Sequence, residues 1–126
     1  MHKTTRTGIT YLTLARWAAI GWMVIILIGC LTPHDEIPDV LTGWDDKFQH
    51  LAIFAGFGFL WREADFEVVP VLIAGLLFGG LIEILQYVLP INRSGDWLDL
   101  AADFAGTIVG VVLALVWSRL YPDRRF

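Results

Sequence analysis

The stretch Arg93-Ser94-Gly95-Asp96-Trp97-Leu98-Asp99-Leu100-Ala101-Ala102-Asp103-Phe104-Ala105-Gly106-Thr107-Ile108-Val109-Gly110 decides the fold. Asp96, Asp99, Asp103, Gly106 and Gly110 recur at intervals of three, four, three and four residues. That spacing stacks side chains along one face of a helix. The other positions are mostly Leu, Ala, Phe, Ile, Val and Trp. The stretch therefore predicts a helix apolar on most sides, with a stripe acidic at one end and glycine-lined at the other. A carboxylate facing lipid is costly, so within a membrane such a stripe must face protein or water. It is expected to form the floor of a polar site whose walls come from other helices.

The rest of the chain has the composition of a membrane protein. Apolar residues make up 56% of the 126 and charged residues 17%, against about 25% charged in an ordinary globular chain. Mean hydropathy is +0.62. The length suits a single domain over residues 1–126. No basic stripe with interleaved aromatics appears, so a nucleic acid is not an expected partner. The single cysteine, Cys30, cannot make an internal disulfide and says nothing about redox compartment.

Four helices are expected, at about residues 11–31, 47–61, 68–89 and 96–120. The first has the ~20 apolar residues needed to cross ~30 Å of hydrocarbon. Arg16, near its end, is expected to snorkel to the interface. Thr32 and Pro33 stop it. Leu27-Ile28-Gly29-Cys30 also fits a bacterial lipoprotein cleavage site. The preceding basic segment and apolar run are long for a signal, however, so the first helix is expected to be retained. A polar loop over residues 32–46 leads to the second helix, with Asp45 or Asp46 as a natural N-cap. The second helix is short for a span. A charged turn at 62–67 precedes the third helix, which carries Gly75 and Gly79 in a GxxxG pattern and ends at Pro90. GxxxG pairs in the third and fourth helices predict that those two pack together.

The expected fold is thus all-α, a four-transmembrane-helix integral membrane bundle. Four spans put both termini on one side. Seven of nine Lys and Arg residues lie on the termini side: Lys3, Arg6, Arg16, Arg62, Arg119, Arg124 and Arg125. Only Lys47 and Arg93 lie opposite. The positive-inside rule then predicts cytoplasmic termini.

The remaining polar residues gather near the outer ends of the last three helices. They are Asp46, Lys47 and His50; Glu83 and Gln86, with Tyr87 beside them; and Arg93, Asp96, Asp99 and Asp103. At the helical rise, His50 lies ~6 Å below Asp46, Glu83 ~9 Å below Leu89 and Asp103 ~10 Å below Asp96. The agreement in depth predicts one convergent site at head-group level in the outer leaflet. Glu83 and Asp103 are its strongest members, because an ionisable residue inside an apolar helix is a functional candidate by default. Carboxylates with a histidine can act as general acid and base. Arg93 and Lys47 can bind phosphate. The same donors are compatible with a divalent metal, although no metal-binding motif calls for one and the cofactor is left unknown.

These residues resemble a known family. Asp46-Lys47-x-x-His50-x-x-x-Phe54, Glu83-x-x-Gln86 and Arg93-x-x-Asp96-x-x-Asp99-x-x-x-Asp103-x-x-Gly106-x-x-x-Gly110 look like the VanZ-like family of small bacterial membrane proteins, over about residues 44–118. Where members usually carry Asn, this chain has Asp103, which adds a carboxyl group to the site. The resemblance implies an association with resistance to the glycopeptide teicoplanin, and with enzymes acting on lipid head groups.

The expected activity is hydrolysis or transfer at a phosphate-linked lipid head group. His50, Glu83, Asp99, Asp103 and Asp46 are the catalytic candidates; Lys47, Gln86, Arg93 and Asp96 are the substrate-binding ones. The expected partner is a membrane lipid or a lipid-linked cell-wall precursor. Oligomeric state is not legible. The alternative is a non-enzymatic binder of such a molecule, linked to glycopeptide tolerance. An ion path ranks last, because below Glu83 and Asp103 the helices run through apolar residues and glycine.

Overall fold

The computed structural model describes residues 10–32, 46–90 and 97–123, and of Asp46 only the backbone. Within them the protein is all-helical: α1 is Tyr11–Leu31, α2 Asp46–Glu63, α3 Val68–Val88 and α4 Trp97–Leu120. The helices alternate in direction. Tyr11 of α1 meets Glu63 and Trp117, at the far ends of α2 and α4. Gln86 near the end of α3 meets Cys30 near the end of α1. The end of the bundle at which α2 and α4 begin is hereafter the upper end.

Each inward face follows from the sequence period. On α1, Ala15, Ala19, Ile26 and Cys30 are buried, and Tyr11 and Trp22 fall on the same stripe. Trp22 donates its indole Nε1–H to the Ile53 carbonyl at 2.8 Å. Ile26 and Cys30 join Phe54, Phe57, Phe78 and Ile82 in the apolar core. Phe57 and Phe78 stack there, with ring centroids 5.6 Å apart. The opposite faces carry exposed Leu77, Leu81, Ile84 and Val88 on α3, and Val112, Leu113 and Val116 on α4. Apolar exterior of this extent suits lipid rather than water. Three helices, α1, α3 and α4, are long and apolar enough to cross a membrane.

α2 is different. It carries Lys47, Arg62 and Glu63, and it packs against all three neighbours, most extensively against α4. Glycine makes that interface close. A side chain at Gly106 or Gly110 of α4 would run into the Leu51 or Ala55 carbonyl of α2, and one at Gly58 of α2 into the Thr107 carbonyl. The expected α3–α4 packing is present: Gly75 lies against the Thr107 side chain and Gly79 against Leu100 and Asp103. The α4 glycine pair, however, serves α2 rather than α3. Lipid does not drive helices together hydrophobically, so backbone proximity of this kind carries much of the association.

The α2–α3 connection is shorter than the charge run at 62–67 suggests. α2 continues through Glu63, and the chain turns at Ala64 and Asp65, the latter at φ 74°. Glu63 is consequently 1% exposed, not solvated. Its Oε1 accepts the Tyr11 hydroxyl at 2.7 Å, and Trp117 donates to the Tyr11 oxygen at 3.3 Å. Arg16 donates through Nε to the Ala64 carbonyl at 3.2 Å, so it caps the end of α2 rather than only reaching for the interface. Tyr11→Phe removes a donor from a buried carboxylate and is expected to destabilise the protein by about 1–3 kcal/mol. Thermal unfolding in detergent measures this; an unchanged midpoint would show that the bond contributes nothing.

Candidate functional site

His50 lies at the centre of the upper half of the bundle, 3% exposed. It is one turn inside α2, on the face turned to α4. Asp99 and Asp103, one turn apart on α4, flank its ring. Nδ1 lies 2.6 Å from Asp103 Oδ1. Nε2 lies 3.5 Å from Asp99 Oδ2. Asp99 is in turn held by Lys47, whose Nζ donates to Oδ1 at 2.6 Å. The order along the site is therefore Asp103, His50, Asp99, Lys47, running from the interior toward the upper end.

The glycines that bring α2 onto α4 also fix this distance. Gly106 is three residues beyond Asp103 on α4, and its lack of a side chain admits the Leu51 backbone, next to His50. On α3, Gly79 leaves room for the Asp103 carboxylate, since a Cβ there would sit 3.0 Å from Oδ2. Thr107 bonds back to the Asp103 carbonyl at 2.8 Å and fills the notch above Gly75.

Glu83 completes the cluster from α3 and is 2% exposed. One donor atom each from His50, Glu83 and Asp103 lie within 4.8 Å of one another. A histidine and two carboxylates at this separation could hold a divalent cation of the zinc, manganese or iron type. An ion there would have to take over the proton's place between His50 and Asp103. Gln86, one turn above Glu83, is also buried, but its Nε2 donates to the Cys30 carbonyl at 2.8 Å and ties α3 to the end of α1.

Of the nine residues expected in the site, His50, Glu83, Asp99 and Asp103 come together, Lys47 joins through Asp99, and Gln86 lies alongside. The Asp46 side chain, Arg93 and Asp96 lie outside the described residues, as does Asp45.

Sequence reasoning passed over two further groups. Trp97, read only as an apolar position, opens α4 beside Glu83 and Tyr87. Glu63, within the charged run at 62–67, reads from sequence as a turn charge. The available signal was its spacing of seven from Gly56, which puts both on the face of α2 that meets Trp22 and Tyr11 of α1.

With Asp103 ionised, it accepts the Nδ1–H of His50 and fixes the ring, leaving Nε2 as the position that exchanges a proton toward the upper end. Imidazole is the side chain whose ordinary proton affinity suits that exchange near neutral pH. The fold and this cluster define a class: a multi-pass membrane protein with a polar His–carboxylate site embedded among its helices. More narrowly, the chain belongs to the VanZ/LLP1 family, whose model matches residues 17–118. Neither curated proteins nor solved structures gave a match to the chain.

Proposed function

We propose that this VanZ-like protein hydrolyses or transfers phosphate-linked head groups of membrane lipids, or of a lipid-linked cell-wall precursor. The observation that carries the reading is His50, buried between two aspartates with its Nδ1 bonded to Asp103 and its Nε2 turned toward Asp99. An imidazole oriented by one carboxylate is a general acid–base unit. In this reading His50 moves the proton at Nε2, Asp103 orients it, and Lys47 and Arg93 bind the phosphate oxygens. Asp99 positions the attacking group, Glu83 and Gln86 hold the head group beside it, and Asp46 is a further catalytic candidate and Asp96 a further substrate-binding one. Upper-end loops facing out of the cytoplasm would place the site in the outer leaflet of the inner membrane. The excess of basic residues on the termini side supports that orientation. A contribution to glycopeptide tolerance would follow from altered head groups at the cell surface.

The test is mass spectrometry of lipids incubated with purified protein, beside a His50→Ala control. New head-group species from the wild type alone are the expected result. A lipid retained by the protein without any product would instead make it a binder.

A further inference from the structure

We propose that the cavity between the upper ends of α3 and α4 takes the ammonium head group of a membrane lipid. The cavity measures ≈ 360 Å³ and is lined by Glu83, Ile84, Tyr87 and Trp97. It adjoins the buried cluster, because Glu83 belongs to both. The proposal rests on reading that cluster as a lipid head-group site, and names which head group.

The lining determines the charge of the occupant. Its ionisable floor is a carboxylate, and its walls are a phenol ring one turn further along α3 and an indole at the start of α4. A carboxylate beside aromatic rings is the chemistry that recognises ammonium ions: the acid supplies the counter-charge and the rings supply electron-rich faces. An anionic or purely hydroxylated head group would gain neither. Tyr87 is 80% exposed and Trp97 67%. Neither ring is therefore consumed by the core, and both suit the level where amphipathic rings meet lipid head groups.

The surface beside the cavity makes the occupant a lipid rather than a free amine. Leu77, Leu81, Ile84 and Val88 are all exposed. They recur at four, three and four residues, so they form one stripe on α3, about 16 Å long. Ile84 is both a wall of the cavity and part of this stripe. A molecule with its nitrogen at Glu83 can lay an acyl chain along it. In a lipid whose amine is two carbons from its phosphate, the phosphorus then lies next to Glu83. A ring nitrogen of His50 and a carboxylate oxygen of Asp103 lie within 4.8 Å of a carboxylate oxygen of Glu83.

The experiment uses the full-length protein exchanged into vesicles of phosphatidylethanolamine and phosphatidylglycerol with matched acyl chains, followed by mass spectrometry of the lipid retained on repurification. The wild type is expected to retain phosphatidylethanolamine over phosphatidylglycerol by about tenfold relative to the bulk, with Glu83→Gln and Tyr87→Leu each cutting this preference about fivefold. Tyr87 is exposed, so its variant tests the site even if Glu83→Gln fails to fold. Equal retention of both lipids, or an unchanged preference in Tyr87→Leu, would overturn the proposal. So would displacement of the lipid by millimolar soluble ethanolamine, which would make the occupant a free amine. His50→Ala separates this from the proposed activity, since it should lose turnover and keep the preference. Preference without turnover in the wild type sinks the activity alone, and turnover without preference sinks this inference alone.

Discussion

His50→Gln is expected to lower head-group turnover by about 10²- to 10⁴-fold, the usual contribution of a positioned acid–base group. Glutamine approximates the volume of the ring and can still bond to Asp103, so the bundle should assemble. It cannot exchange a proton at the Nε2 position. Asp103→Asn tests the second half of the unit. An amide can hydrogen-bond to Nδ1, but it lacks the charge that stabilises a protonated imidazole, and it can present a donor where the ring needs an acceptor. Turnover should fall less than in His50→Gln. The double variant should be no worse than His50→Gln alone, because residues that act as a unit lose their effect together. Losses that multiply would show that Asp103 acts independently of His50, and full activity in His50→Gln would remove the acid–base assignment.

Gly110→Leu is expected to abolish the folded protein. The first atom of any side chain at this position falls on the Ala55 carbonyl oxygen and lies 2.7 Å from the Phe59 nitrogen. Overpacking a core with flexible neighbours costs about 1–3 kcal/mol. Here the obstacle is the backbone of α2, so relief requires α2 and α4 to separate. That separation also parts His50 from Asp103. Gly80→Leu is the control, because nothing lies within 4 Å of the corresponding point on α3. Size-exclusion profiles and thermal unfolding in detergent should separate the two variants clearly; similar behaviour would mean that the α2–α4 contact is looser than the structure describes.

The acidic and glycine stripe of α4 was legible because a helical period leaves a one-dimensional trace. Asp99, Asp103, Gly106 and Gly110 are indeed buried on one face. Depth is legible for the same reason, and His50, Glu83 and Asp103, expected at one level, each bring an atom within 4.8 Å of the others. Partner choice was not. Nothing in the GxxxG pattern of α4 says which neighbour fills it, and that neighbour is the least apolar helix of the four. The extent of α2 was misjudged through Arg62 and Glu63. A charged pair normally marks a turn, and a hydroxyl from 52 residues earlier in the chain, on Tyr11, helps to make Glu63 acceptable inside. Gln86 shows the same limit. Its position was anticipated, whereas its bond to the Cys30 carbonyl depends on where α1 ends in space.

The dependence of α2 on α4 has a consequence for biosynthesis. A chain emerging from the ribosome delivers α2 well before α4, its principal partner. Throughout that interval the imidazole of His50 has been made and both aspartates that flank it have not. The site is therefore complete only once α4 has been made, and a chain interrupted before Trp97 has His50 and Lys47 without the aspartates that flank them. Such a fragment also lacks the helix against which α2 packs most extensively.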